Sequence, residues 1–309
     1  SRVLIFVEDP GAANYVIGLP EKLQEASISS VLIAVGAAEK YLQQHNTAYQ
    51  SESNLSIVSL LDKYRPRLVV CGTSENPNSL GLALIDAARN RGVSSIGIVD
   101  AYVNSAYRFR GDSSYPLRYA PMHLIVPDTR TKQDFIKLGY NEDNIYVVEN
   151  PRFEKARNNA LHFSVKDWER ERINLFGDAA LKQPVITFLS ELSDGLNKSD
   201  FLRSEEYSLQ GWGDSEFRTE IVFQEFLDGC SCLMPPPLII VRLHPKESAT
   251  SYQKYKNYVH AVSIGGCAHR LLYFSDAIVG ISTTLLLEAA QMGKKVLSIV
   301  PRASEIDWV

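Results

Sequence analysis

Neither sign of charge is in large excess in this 309-residue chain: 32 Lys and Arg face 36 Asp and Glu, giving a net charge of −4. Without a basic field or a basic arm, no nucleic-acid partner is expected. Cysteine is scarce, with only Cys71, Cys230, Cys232 and Cys267. Cys230 and Cys232 stand as C-x-C, too close to be half of a usual zinc site, so free thiols in a reducing, cytoplasmic setting and no metal are expected. Hydrophobic runs stay short of the roughly 20 residues a membrane helix needs, and the N-terminal stretch lacks the cleavage site of a secretion signal. The G-x-G-x-x-G fingerprint of a dinucleotide site is missing, as are acidic D-x-D tracts, short-period repeats and low-complexity tracts. No cofactor is implied beyond a substrate.

What remains is an ordinary globular balance, 45% hydrophobic and 22% charged, on a chain long enough for about two domains. Short apolar runs alternate with helical stretches. Strands are expected at Val3–Val7, Ser30–Val35, Leu68–Cys71, Ser95–Val99, His123–Val126 and Ile145–Val148, with helices including Asn14–Ala26 and Leu80–Arg91. A similar alternation follows from Val165 to Val300. Continuous β-branched runs separated by helices predict parallel sheets covered on both faces. The expectation is an α/β protein of two Rossmann-like domains, 1–150 and 151–309, with a junction at Asn150-Pro151 and a ligand cleft between them.

Candidate site residues fall just past strand ends, where open parallel sheets bind ligands. The strand Leu238–Leu243 runs into His244, Pro245 and Lys246, and Arg242 shares a strand face with His244. This basic, imidazole-bearing turn is suited to a phosphate. Gly280, Ser282, Thr283 and Thr284 lead into a helix whose N-terminus favours anions, although the hydroxyls serve equally as caps. Glu288, one turn on, is placed to reach a ribose diol or to stay a surface charge. Glu8 and Asp9 precede Gly11, whose small size admits a ligand. Either carboxylate could act as a general base, and Asp9 could instead cap the helix. Asp100 follows another strand as a candidate base, nucleophile or sugar-hydroxyl acceptor, or as a turn residue. Arg108 and Arg110 bring cations close to it. Thr73 and Ser190 are weaker candidates at further strand ends.

With these residues in place, the chain resembles the GT-B superfamily of nucleotide-sugar glycosyltransferases. Leu243-His244-Pro245 and Ser282-Thr283-Thr284 resemble the H-P and Ser/Thr motifs with which bacterial CMP-sugar transferases hold the nucleotide phosphate, and Glu8-Asp9-Pro10-Gly11 resembles their acidic-Gly motif. The first half is also similar to the non-hydrolysing UDP-N-acetylglucosamine 2-epimerases through Val70-Cys71-Gly72-Thr73, Ile98-Val99-Asp100-Ala101 and Val126-Pro127-Asp128-Thr129. Against that family's pattern, Thr73 replaces an acidic residue, Asp100 a glutamate, and Leu189-Ser190-Glu191-Leu192 the H-R-x-E-N stretch. The resemblances imply a glycosyltransferase that moves a sugar from a CMP- or UDP-sugar donor to a glycan acceptor in polysaccharide synthesis, with peripheral membrane association through the acceptor. The alternatives are a UDP-sugar 2-epimerase and a non-catalytic sugar-nucleotide-binding module of a larger assembly protein.

Overall fold

The computed structural model describes residues 2–52, 56–100, 102, 104–192, 198–244 and 247–308. The chain divides into two compact units, Ser1–Arg152 and Phe153–Val309. In the first, strands β1 (Arg2–Val7), β2 (Ser29–Ala34), β3 (Gln50–Ser51), β4 (Leu68–Gly72), β5 (Ser94–Ile98), β6 (His123–Val126) and β7 (Ile145–Val147) form one sheet in the order β3-β2-β1-β4-β5-β6-β7. Every pairing is parallel. The helices between them are α1 (Pro10–Val16), α2 (Leu19–Glu25), α3 (Ala37–Gln44), α4 (Ile57–Tyr64), α5 (Leu80–Asn90) and α6 (Thr129–Lys137).

The apolar run of β1 explains its central place. Leu4 and Phe6 enter one buried cluster with Val69, Leu84 and Phe109, while Val3, Ile5 and Val7 enter a second with Ala12, Val16 and Leu42. A run such as Val3–Val7, apolar at every position with side chains of period two, can bury both faces only inside a doubly covered sheet.

In the second unit, α7 (Pro151–Ser164, its first residues preceding the division) and α8 (Trp168–Phe176) lead into β8 (Val185–Leu189). Then follow α9 (Arg218–Ser231), β9 (Leu238–Arg242), β10 (Ala261–Ser263), α10 (Ala268–Phe274), β11 (Ala277–Gly280), α11 (Thr284–Gln291) and β12 (Lys295–Ser298). The sheet order is β10-β9-β8-β11-β12, again parallel. Phe188, Val241 and Val279 pack with α9, whereas Leu189, Ile278 and Leu272 pack with α11 on the opposite face. The expectation of two Rossmann-like parallel sheets therefore holds.

Several local expectations are corrected. The single helix read over Asn14–Ala26 is two, because Gly18 and Pro20 interrupt it; Pro20 sits in the first turn of α2, where its missing N–H has no partner to lose. Pro151 likewise heads α7 rather than only breaking the chain. The sequence pattern predicts a helix at Tyr252–Tyr258; the structure has a 3-10 segment, Ala249–Tyr255. The sequence over Ser193–Ser215 is polar with little periodicity; residues 193–197 lie outside the described residues, and Leu202 bridges antiparallel to Phe217.

One close approach ties α1 to the sheet. A Cβ on Gly72 would lie 2.3 Å from the Ala12 Cβ, an atom that cannot rotate away. Gly72→Ala is therefore expected to push α1 off β4 and to destabilise the first unit by about 1–3 kcal/mol, read as a lower urea midpoint with unchanged slope.

Candidate functional site

In each sheet the strand order reverses once, between β1 and β4 and between β8 and β11. Crevices at such reversals lie at the carboxyl ends of the strands and are where ligands bind in this architecture.

At the first reversal, Glu8 and Asp9 follow β1 and Thr73 follows β4. Glu8 is not an open base. It accepts hydrogen bonds from the Leu80 N–H at 3.0 Å, the Gly81 N–H at 2.9 Å and the Ser79 hydroxyl. A carboxylate at the start of α5 satisfies orphan donors and meets the positive end of the helix dipole. Thr73 is also committed, donating to the Ile98 carbonyl at 2.9 Å. Asp9 stands at the N-cap of α1, yet its side chain makes no capping bond and is half-buried.

Asp100, just past β5, comes close to this group. A Cβ on Gly11 would lie only 1.8 Å from Asp100 Oδ2, so the absent side chain at position 11 is what lets the carboxyl sit there. Arg108 approaches Asp100 Oδ1 at 3.9 Å and pairs with Glu75 at 3.0 Å, while Asn104 donates to both Glu75 oxygens. Burial raises the Asp100 carboxyl above its ordinary range; Arg108 opposes the rise and Asp9 adds to it. The phenols nearby respond in the same direction: burial pushes Tyr102 up to about 12, with Asp128 and Glu149 adding to it. Tyr15, also raised by burial, donates to the Val148 carbonyl. The first unit thus brings together Asp9, Gly11 and Asp100, with Arg108 beside them. Such a carboxyl can take up and release a proton nearer neutral pH than an exposed one.

At the second reversal, Ser190 and Glu191 follow β8 and Ser282 follows β11. The helix-start hydroxyls were read as an anion grip, but a carboxylate of the chain itself occupies it. Glu191 accepts from the Ser282 N–H at 2.6 Å and from its hydroxyl at 3.0 Å. Arg218, the first residue of α9, donates to Glu191 at 3.2 Å and to the Ser282 hydroxyl at 3.3 Å. Thr283 caps α11 by accepting from the Leu285 N–H at 3.4 Å, and Thr284 is the first helical residue. Gly280 serves packing: a Cβ there would meet Leu286 at 3.0 Å and Leu189 at 3.3 Å.

The remaining candidates are spread along the same edge. His244 lies two residues past β9, and β8 stands between β9 and β11 in the sheet order. The His244 N–H donates to Glu247 at 2.7 Å, and Ser190 donates to the other Glu247 oxygen at 2.7 Å. Arg242 turns toward β10 and spends its guanidinium on Ser263 and the Gly265 and Gly266 carbonyls. Pro245 and Lys246 lie outside the described residues. Glu288 is buried, 2.5 Å from His269 Nε2, rather than a charge on an open helix face.

The side chains that sequence reasoning missed are Arg218, Glu305 and Glu75. Arg218 and Glu305 are fully buried and joined at 2.8 Å, and Arg302 lies 2.8 Å from the other Glu305 oxygen. Among the described residues there is no cluster of His, Cys, Asp and Glu fit for a metal, and no helix long and apolar enough to cross a membrane.

No protein-family model and no curated protein sequence matches the chain. Solved structures do. The UDP-GlcNAc 2-epimerase from Neisseria meningitidis bound to UDP-GlcNAc superposes with a TM-score of 0.66 at 13% identity, covering 99% of this chain and 85% of that one. The enzyme from Methanocaldococcus jannaschii in complex with UDP-GlcNAc and UDP gives 0.63 at 13%, covering 99% and 87%. The UDP-N-acetylglucosamine 2-epimerase from Rickettsia bellii gives 0.59 at 12%, covering 98% and 80%. These likenesses correct the glycosyltransferase expectation and its CMP-sugar resemblance, because these three structures, similar along nearly the whole chain, are 2-epimerases. The chain has the two-unit, GT-B-like Rossmann fold that they share.

Proposed function

We propose that this chain is an enzyme that binds a UDP-linked N-acetylhexosamine and inverts the sugar at C2. Inverting a carbon that carries hydrogen requires that proton to leave and another to arrive on the opposite face, so the reaction needs groups that exchange protons near neutral pH. Asp100 supplies one: its half-buried carboxyl is raised and set against Gly11 with Asp9 near it. That carboxyl carries the reading. The likeness in fold to structures solved with UDP-GlcNAc or UDP supports the substrate class.

The experiment is to incubate the protein with UDP-N-acetylglucosamine in deuterated buffer and follow C2 by proton NMR. The expected result is the C2 epimer together with deuterium at C2. Binding with neither product would favour a second reading, a non-catalytic nucleotide-sugar-binding module. Two observations favour that alternative: Thr73, standing where the resembled family has an acidic residue, spends its hydroxyl on the Ile98 carbonyl, and Leu189-Ser190-Glu191-Leu192 replaces H-R-x-E-N.

A further inference from the structure

We infer that the Glu191 carboxylate is a built-in plug on an anion site formed by Ser282 and Arg218, and that a diphosphate group binds there by displacing it; this deepens, and rests on, the nucleotide-sugar reading above. The two carboxylate oxygens take a backbone N–H, a hydroxyl and a guanidinium, at 2.6, 3.0 and 3.2 Å. That donor set holds phosphate oxygens equally well, with the Ser282 N–H lying at the approach to α11.

The donors do not depend on Glu191 for their placement. Arg218 is 1% exposed and is fixed from its other side by Glu305, so its Nη1 faces the site whether or not Glu191 stays. The main chain at the plug is anchored as well. The Ser190 N–H donates to the Arg242 carbonyl at 2.9 Å, and the Thr219 hydroxyl to the Glu191 carbonyl at 2.9 Å. Opening the site therefore needs only a rotation of the Glu191 side chain.

Room for that rotation exists. A cavity of about 450 Å³ borders Glu191 and is lined by Thr219, Phe217 and Tyr252. It also holds Glu247 and Glu220, the latter paired with Lys254, so a third carboxylate is less favoured there than at Ser282 and Arg218. A diphosphate carries more negative charge than a carboxylate and competes for the same donors, so occupancy is a contest between two anions.

Calorimetric titration of the whole chain with inorganic pyrophosphate and, separately, with UDP tests this. The neutral variants Glu191→Gln and Glu191→Ser are expected to bind both about tenfold or more tightly than the wild type. Adding Ser282→Ala to Glu191→Gln should return the affinity toward the wild-type value. Pyrophosphate affinity that is equal or weaker in both folded neutral variants overturns the plug. UDP separates the two claims. If all forms bind UDP equally, the nucleotide reading stands and the plug falls. If none binds UDP while pyrophosphate tightens as stated, the plug stands and the nucleotide reading falls.

Discussion

Arg218→Met is expected to destabilise the second unit by about 3–5 kcal/mol, the range for breaking a buried pair from one side. Arg218 and Glu305 are both fully buried, and the guanidinium also reaches Glu191. Burial alone would pull the Arg218 pKa down; the hydrogen bonds and charges of Glu305 and Glu191 outweigh it, and the net direction is up. Met fills similar volume but leaves the Glu305 carboxylate to Arg302, 2.8 Å away. Desolvation of a charge stripped of its main partner then dominates, whereas an exposed pair such as Lys22–Glu25, 73% and 57% exposed, contributes at most about 1 kcal/mol. At about 2–4 °C per kcal/mol for a unit of this size, the melting temperature should fall by roughly 10 °C. The double variant Arg218→Met with Glu305→Leu should recover most of the loss, because a well-packed apolar pair can match a buried ion pair. A single-variant loss below about 1 kcal/mol in denaturant unfolding would mean that water reaches the pair and that it behaves as a surface contact.

The strands were legible because a buried parallel strand advertises itself: Val3–Val7 and Leu238–Val241 are apolar at every position, and only a doubly covered sheet accommodates that. The site edges were legible for a related reason, since Asp9, Asp100, Glu191 and Ser282 each lie just past a strand end. Their partners were not legible. Glu8 looks like a free carboxylate until the start of α5, more than seventy residues away, closes over it. The Ser282 hydroxyl looks like a phosphate ligand until Glu191 is seen on it from across β8 and β11. Arg218 did leave a trace: it stands three and four residues before the buried Ile221 and Val222, hence on the inward face of α9. A cation in that register needs a buried anion, and the last turn of the chain supplies Glu305. The transferase expectation is corrected at another level, by the likeness of the whole fold to 2-epimerases. Of the two short motifs behind it, H-P has its N–H held by Glu247 only three residues on, whereas the carboxylate on Ser282 comes from Glu191, 91 residues away.

Asp100→Asn should reveal what the first site is for, because stability and activity are expected to move in opposite directions. If Asp100 carries the proton, the variant should lose about 10²–10⁴-fold in the rate of C2 inversion, the usual contribution of a general acid or base. Its stability should rise at neutral pH. A carboxyl raised by burial holds its proton more tightly in the folded protein than in the unfolded chain, so the ionised form is a penalty. That penalty is absent below the unfolded value of about 3.9 and grows as pH rises through the folded one. Thermal melts of wild type and Asp100→Asn should therefore coincide in acid and separate toward neutrality, with the variant higher. Gly11→Ala probes the same carboxyl without removing it. The new Cβ would meet Asp100 Oδ2 at 1.8 Å, but that oxygen ends a short side chain that can turn away. Alanine in α1 is favoured over glycine by about 1 kcal/mol, enough to offset much of the strain, so the melting temperature should barely change. The displaced carboxyl should nevertheless slow inversion by about a hundredfold, the effect of a misplacement near 1 Å. A Gly11→Ala protein that melts early yet keeps full activity would make position 11 a packing detail and would take Asp100 out of the chemistry.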